Sequence, residues 1–164
     1  MDRPKIIVEK SGIDYLMEIL GILIIIAMFI YNIINYSNLP ERIPSHFDVE
    51  GNVDSYGDKA TIWILPVISL LLFISLYLIN KYPHLFNYPV EITVNNAKEQ
   101  YLKATRLIRY LNTLIAFIFA FINYKTIQIA LGNAQQLGNG FMFFLIAGLF
   151  GGIVIYFIFS KKHK

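Results

Sequence analysis

The chain has 164 residues, of which 56% are hydrophobic and 15% are charged, and its formal net charge is +3. Soluble domains carry about 25% charged residues, so this composition excludes an ordinary soluble protein. The sequence contains no cysteine, which excludes disulfides, thiolate metal sites and cysteine nucleophiles.

Four apolar blocks hold most of the hydrophobic residues. Each has the length of about 20 residues that a helix needs to cross a hydrocarbon core of about 30 Å. The predicted spans are residues 16–36, 60–80, 107–131 and 141–159. We therefore predict an all-α, polytopic membrane protein with four transmembrane helices in a single membrane domain, 1–164, and an ordered extracytoplasmic loop between the first two helices.

The segments between the spans differ in charge. All but three of the 14 lysines and arginines lie before the first span, between the second and third spans or at the start of the third, and after the fourth. The positive-inside rule places such segments in the cytoplasm. We expect the lead 1–15, the connection 81–106 and the tail 160–164 to be cytoplasmic, and the loops 37–59 and 132–140 to lie outside. The first span lacks a small-residue cleavage site, so we predict a retained anchor.

Two carboxylates, Asp14 and Glu18, stand at the start of the first helix. The positive end of the helix macrodipole favours carboxylates at that place. Glu18 has a second interpretation, as a functional acid inside the membrane.

The loop 37–59 is where unusual residue types gather. From Leu39 to Lys59 it reads LPERIPSHFDVEGNVDSYGDK. Its prolines fix backbone dihedrals and its glycines suit turns, while Phe47 and Tyr56 are predicted to anchor it onto the helix ends. The loop should therefore be an ordered cap that presents a recognition surface. The motif residues assigned to binding are Pro40, Pro44, His46, Phe47, Gly51, Asp54, Tyr56, Gly57 and Lys59.

The acidic residues of this loop surround one histidine. A hard cation could use such carboxylates, and the candidate metal ligands are His46, Asp48 and Asp54. The stretch DVEGNVD lacks the spacing of an EF-hand, and a single histidine in a polar loop can also be an ordinary hydrogen-bonding group. No nucleophile motif, phosphate loop or helical histidine pair is recognisable in the sequence, so we predict a protein that is not an enzyme and has no cofactor.

The second span begins at a predicted N-cap, Asp58. Pro66 removes the backbone hydrogen bond to the carbonyl of Ile62, which predicts either a static bend or a hinge with an exposed carbonyl.

After Pro83 and Pro89 in the connection, Thr93 or Asn95 is expected to cap a helix that begins near Ala97. Its basic residues, Lys98, Lys103, Arg106 and Arg109, should attract anionic lipid headgroups. Nucleic acid is not an expected partner.

The third and fourth spans are joined by the short loop GNAQQLGNG, which predicts adjacent antiparallel helices. Lys125 should extend its ammonium group to the outer interface. Gly148 and Gly152 form a small-xxx-small pattern on the fourth span. That pattern serves either packing within the chain or a homo-oligomer.

Polar residues of the third span allow an alternative function. Asn112, Asn123, Lys125 and Gln128 could line a polar path with Glu18 or Asn32, as in a small transporter or channel component. The same side chains could instead form hydrogen bonds between helices.

The motif LPxxIPxHFxxxGxxDxxGxK resembles that of a bacterial and archaeal family of uncharacterised integral membrane proteins. The domain of that family also forms the N-terminal part of SdpI-type immunity proteins. The matching residues are Leu39, Pro40, Ile43, Pro44, His46, Phe47, Gly51, Asp54, Gly57 and Lys59.

The resemblance implies a multi-pass protein of a bacterial or archaeal cell (inner) membrane. In the SdpI-type branch, such a protein protects its producer against a secreted toxic peptide and holds a repressor at the membrane. We expect a non-enzymatic protein of envelope protection, immunity or sensing that acts through the outer loop. Its expected partners are membrane lipids and a toxic peptide or another membrane protein. A small transporter and a metal-binding membrane protein are the alternatives.

Overall fold

A computed structural model describes residues 3–138 and 140–161 of the chain. Its helices are α1 (Gly12–Asn35), α2 (Ile64–Ile79), α3 (Ala97–Ala130) and α4 (Phe141–Lys161). Two strands, β1 (Arg42–Phe47) and β2 (Val53–Asp58), form an antiparallel hairpin between α1 and α2. Most of the predicted tail 160–164 lies outside the described residues.

The four helices confirm the predicted number of apolar spans. The segments Gly12–Asn38, Lys59–Ile79, Ala97–Ala130 and Phe141–Ser160 are each long and apolar enough to cross a membrane, which indicates a multi-pass membrane protein. α3 has 34 residues and at 1.5 Å per residue is about 51 Å long, which exceeds a hydrocarbon core of about 30 Å. Its basic first turns precede the predicted apolar span 107–131.

The chain is mostly helical, as predicted. The loop 37–59, for which no strand was predicted, contains the β1–β2 hairpin. Local hydrogen-bonding residues specify the helix starts nearby. Asp58 caps the 3₁₀ turn before α2, with its carboxylate accepting the N–H of Ala60 at 2.7 Å. The N-cap of α3 is Asn96 and not Thr93 or Asn95.

α3 is the central helix of the bundle and contacts α1, α2, α4 and β1. Its buried polar side chains bond to each of the other helices. The amide of Asn112 donates to the carbonyl of Phe73 on α2 at 3.1 Å, and the amide of Gln100 donates to the carbonyl of Ser160 on α4 at 3.1 Å. Polar groups in lipid must be satisfied within the protein, so these contacts fix which face of α3 meets each neighbour.

One buried cluster joins α1, α2 and α3 near the hairpin. Pro66 has no N–H, so the carbonyl of Ile62 lacks its helical donor. The side-chain amide of Asn32 donates to that carbonyl at 3.0 Å. Asn32 also exchanges hydrogen bonds of 3.3 and 2.6 Å with Asn123. The carbonyl that proline frees is therefore not exposed, and it is used to hold α1 against α2.

The opposite end of the bundle is joined by ion pairs. Asp14 is fully buried and accepts from Arg106 at 3.2 Å and from Arg109 at 3.4 Å. Glu18 accepts from Arg109 at 2.9 Å and from Lys10 at 2.6 Å. Asp14 thus binds two cations of α3, and Glu18 binds one cation of α3 and one of the lead.

α4 packs against α3 through its glycines. The hydroxyl of Tyr110 donates to the carbonyl of Gly148 at 2.9 Å, and a side chain at Gly152 would collide with the Tyr110 ring. At Gly148, an added Cβ would lie 3.1 Å from the side chain of Leu114. The small residues at these two positions accordingly allow α3 and α4 to approach each other within one chain.

The Asn32 cluster predicts a specific loss of stability. Asn32→Leu leaves the carbonyl of Ile62 and the amide of Asn123 without partners, which should cost about 1–3 kcal/mol. Adding Pro66→Ala should recover part of this loss, because alanine supplies the missing helical donor. Reversible unfolding in mixed micelles measures both effects.

The control variant is Asn35→Leu, because within residues 3–138 and 140–161 the Asn35 side chain bonds to the carbonyl of Tyr31 on its own helix and to no other helix. It should lose less stability than Asn32→Leu. Equal losses in the two variants would contradict the structural role of the buried amide cluster.

Candidate functional site

The hairpin is fixed to the bundle by an apolar cluster at its base. Leu39, Ile43, Ile62 and Ile127 have between 0 and 5% of their surface exposed and pack together. They come from the segment before β1, from β1, from the turn before α2 and from α3. The hairpin therefore sits directly on the helix ends.

The turn of the hairpin is organised by the carboxylate of Asp48. Its Oδ1 accepts the backbone N–H groups of Glu50 and Asn52, both at 2.9 Å. The N–H of Asn52 is the main cause that lowers the pKa of Asp48, and the Asn52 side chain and the N–H groups of Glu50 and Gly51 add to it. The carboxylate thus closes the turn in its charged form.

The turn also contacts the loop between α3 and α4. The N–H of Leu137 donates to the carbonyl of Gly51 at 2.9 Å, and Asn52 pairs with Gln136 as an isolated antiparallel bridge. Gly51 has a φ of +86°, and an added Cβ would lie 3.2 Å from the Cβ of Leu137. Only glycine combines that backbone conformation with this close approach.

A hydrogen-bonded histidine–aspartate pair lies on the exposed face of the hairpin. His46 on β1 and Asp54 on β2 approach to 2.7 Å between Nδ1 and Oδ1, with 70% and 44% of their side chains exposed. Ser45 and Ser55 form a second cross-strand contact at 3.2 Å. Such an exposed pair contributes only about 0–1 kcal/mol to stability, so its side chains are available to a partner.

The end of the motif closes the base of the hairpin. The ammonium group of Lys59 donates to Glu41 at 2.8 Å and lies 5.6 Å from the ring centroid of Tyr36. A Cβ at Gly57 would lie 3.1 Å from the Cβ of Ser45 on the opposite strand. Lys59 and Gly57 therefore shape the hairpin rather than its exposed face.

The anchors of the loop differ from the expected ones. Tyr56 is 51% exposed and does not hold the loop to the helices, while Phe47 is half-buried. Burial falls instead on Leu39 and Ile43, with Pro44 beside them. Ile43 and Pro44 are consecutive residues and both are buried, so β1 does not show the simple alternation of a strand with one buried face. The register shifts after Pro44, between Pro44 and His46 and between His46 and Phe47. Pro40 is exposed.

The three candidate metal ligands do not form one site. Among residues 3–138 and 140–161, no three histidine, aspartate or glutamate side chains are grouped so that they could hold a metal ion. His46 is paired with Asp54, whereas Asp48 is engaged with the backbone of the turn. The cluster is thus divided between an exposed pair and a structural carboxylate.

The polar residues of α3 that could line a path are engaged with neighbouring helices. Asn112 and Asn123 bond to α2 and α1, and the amide of Gln128 donates to the hydroxyl of Tyr31 at 2.6 Å. Lys125 is half-buried. Asn112 and Asn123 therefore occupy separate contacts in the bundle.

Residues 23–70 match the model of a family described as a domain of unknown function, DUF1648. This segment begins within α1, contains the whole hairpin and ends within α2. A protein of Archaeoglobus fulgidus described as uncharacterized is 33% identical over 78 residues, which cover 43% of this chain and 43% of that protein. No solved structure matches the chain. The matches support an uncharacterised family, and the family model falls on the hairpin and the helices that carry it.

Protonation of Asp48 should loosen the turn. Since folding lowers the pKa of this carboxyl, its stabilising effect is present above the unfolded value of about 3.8 and is lost as the pH falls through the lower folded value. The protection of the Glu50 and Asn52 amides against hydrogen exchange, measured relative to the intrinsic exchange rate at each pH, should therefore fall at acidic pH. Asp48→Asn should remove this pH dependence, whereas Glu50→Gln should retain it. Unchanged protection of these two amides in the unsubstituted protein at low pH would disprove the role of the carboxylate.

Proposed function

We propose that this chain is a non-enzymatic membrane protein that uses the hairpin as a rigid recognition surface for envelope protection, immunity or sensing. The partner is a toxic peptide or another membrane protein. The observation that supports the proposal is that different residues of the hairpin hold it on the bundle and form its exposed face. Leu39 and Ile43 are buried and hold it in place, while the His46–Asp54 pair is exposed and contributes little to the fold.

The chemistry of the exposed face favours a peptide partner. His46 offers a ring nitrogen and Asp54 offers a carboxylate. Tyr56 adds an aromatic ring with a hydroxyl group, and all three residues lie on the two paired strands. Charged and aromatic side chains on a preorganised backbone provide specificity at small entropic cost. Substrate conversion is not part of the proposal, because the sequence has no recognisable nucleophile motif.

The proposed topology places the hairpin outside the cell and both termini in the cytoplasm of a bacterial or archaeal cell. The distribution of lysine and arginine supports this orientation. The hairpin segment is net acidic, whereas the opposite end carries Lys10, Lys81, Arg106 and Arg109. Membrane lipids are the proposed partners at that basic end, and nucleic acid is not a proposed partner. A homo-oligomer, if the chain forms one, is proposed to use the lipid-facing surface of α4.

Labelling of introduced cysteines tests the orientation, because the natural sequence has no cysteine. Val49 in the hairpin turn is 77% exposed and Val94 at the opposite end is 83% exposed. A membrane-impermeant maleimide should label Val49→Cys in intact cells and Val94→Cys only after permeabilisation. The reverse pattern would place the recognition surface in the cytoplasm and overturn the proposal.

A peptide-challenge experiment tests the function of the hairpin face. A strain without the gene is expected to become more sensitive to at least one envelope-active peptide, and the unsubstituted gene should restore resistance. His46→Ala or Asp54→Ala should reduce resistance by about tenfold, the equivalent of 1.4 kcal/mol in binding, with unchanged protein levels. Ser55→Ala, which alters a neighbouring exposed residue, should restore resistance fully. Unaltered sensitivity of the deletion strain across a broad peptide panel would remove the protective role.

A further inference from the structure

A cavity of about 260 Å³ lies at the end of the bundle opposite the hairpin. Its walls include Glu18 of α1, Asn80 just after α2 and Arg109 of α3, and residues 6–8 of the lead also line it. Several hydrogen bonds hold the lead against the bundle, among them one from Arg3 to the carbonyl of Phe86. The hydroxyl of Tyr101 donates to the carbonyl of Pro4 at 3.0 Å, and Arg3 donates to the carbonyl of His84 at 3.2 Å.

The cavity brings three cations together. Lys10, Lys81 and Arg109 all line it, and Glu18 is the single carboxylate among its described lining residues. Lys10 and Lys81 lie 5.0 and 5.1 Å from the centroid of one ring, that of Tyr77. Glu18 already accepts from both Lys10 and Arg109, whereas Lys81 has no carboxylate within ion-pair distance in residues 3–138 and 140–161. Like charges held close together favour the binding of an anion.

A buried amide adds an unused acceptor to the same wall. Asn80 is 9% exposed, and its amide nitrogen donates to the carbonyl of Thr105 at 3.0 Å. Its Oδ1 has no hydrogen-bond partner among the described residues. A buried amide oxygen without a donor is unfavourable, and a ligand with a hydroxyl group would satisfy it.

The position of the cavity at the end of an apolar span indicates which class of ligand can reach it. Asn80 and Lys81 directly follow the last residue of α2, Ile79, so the site lies where an apolar span ends. This is the depth at which lipid phosphates meet a membrane protein. The volume suits a headgroup or a small anion rather than a drug-sized ligand, which requires about 300–1,000 Å³.

We propose that this cavity binds a phosphate-bearing anion that also carries a hydroxyl group. The headgroup of phosphatidylglycerol and hydrogen phosphate share this chemistry. Lys81 and Lys10 contact the phosphate oxygens, and Asn80 accepts a hydrogen bond from the hydroxyl. Glu18 keeps Lys10 and Arg109 in place. The site lies at the other end of the bundle from the hairpin and is independent of the function proposed for it.

The test uses the full chain in phosphatidylcholine nanodiscs, with its unfolding temperature followed as phosphatidylglycerol or inorganic phosphate is added. At least one of the two should stabilise the unsubstituted protein. Lys81→Gln should weaken the apparent affinity by about tenfold, and Lys81→Arg should retain most of it. Lys81 is exposed, so its substitution is compatible with folding.

The matched control is Lys98→Gln, which removes the same charge from an exposed position of α3 outside the cavity. If phosphatidylglycerol stabilises the Lys98→Gln variant but no longer stabilises the Lys81→Gln variant, the ligand is a lipid headgroup. The same pattern with inorganic phosphate alone identifies a soluble anion. Equal losses in the two variants would reveal general attraction to a basic surface, and no stabilisation by either probe would exclude the site.

Discussion

The missing N–H of Pro66 is the constraint on which the arrangement of the first three helices depends. It frees the carbonyl of Ile62, and Asn32 supplies the donor that the helix cannot. Asn32 is in turn fixed by Asn123, so three helices meet at one buried set of amide groups. The side chain of Ile62 packs in the cluster that holds Ile43. The same residue therefore links the bundle through its backbone and the hairpin through its side chain.

The two ends of the bundle are joined by different chemistry. Near the hairpin the contacts are neutral amides and apolar side chains, and at the other end they are ion pairs between α1 and α3 centred on Asp14 and Arg109. Single hydrogen bonds between membrane helices average only about 0.6 kcal/mol. Here these hydrogen bonds fix the orientation of α3, because each donor on α3 reaches its partner at only one rotation of the helix about its axis. The polar residues of α3 consequently set its register against every neighbour.

Features encoded by local chemistry were predictable from the sequence. The cap at Asp58, the helix start at Ala97 and the break in hydrogen bonding at Pro66 each depend on residues a few positions apart. The hairpin was missed because Pro44 and the surrounding charges interrupt the alternation that indicates a strand, and because two consecutive residues of β1, Ile43 and Pro44, are buried. The pairing of Asn32 with Asn123 joins residues 91 positions apart, so it depends on the packing of α1 against α3, which no local pattern specifies.

The hairpin separates the residues that maintain its fold from those that face outward. Ile43 is fully buried, and Asp48 and Gly51 hold the turn against the loop at Leu137. None of these contacts involves the side chain of His46, and an exposed pair such as His46–Asp54 contributes little to stability. A surface of this kind can change its specificity without loss of the scaffold. This separation is consistent with the recognition role proposed for the hairpin, whereas a simple connection between α1 and α2 would need only a shorter loop.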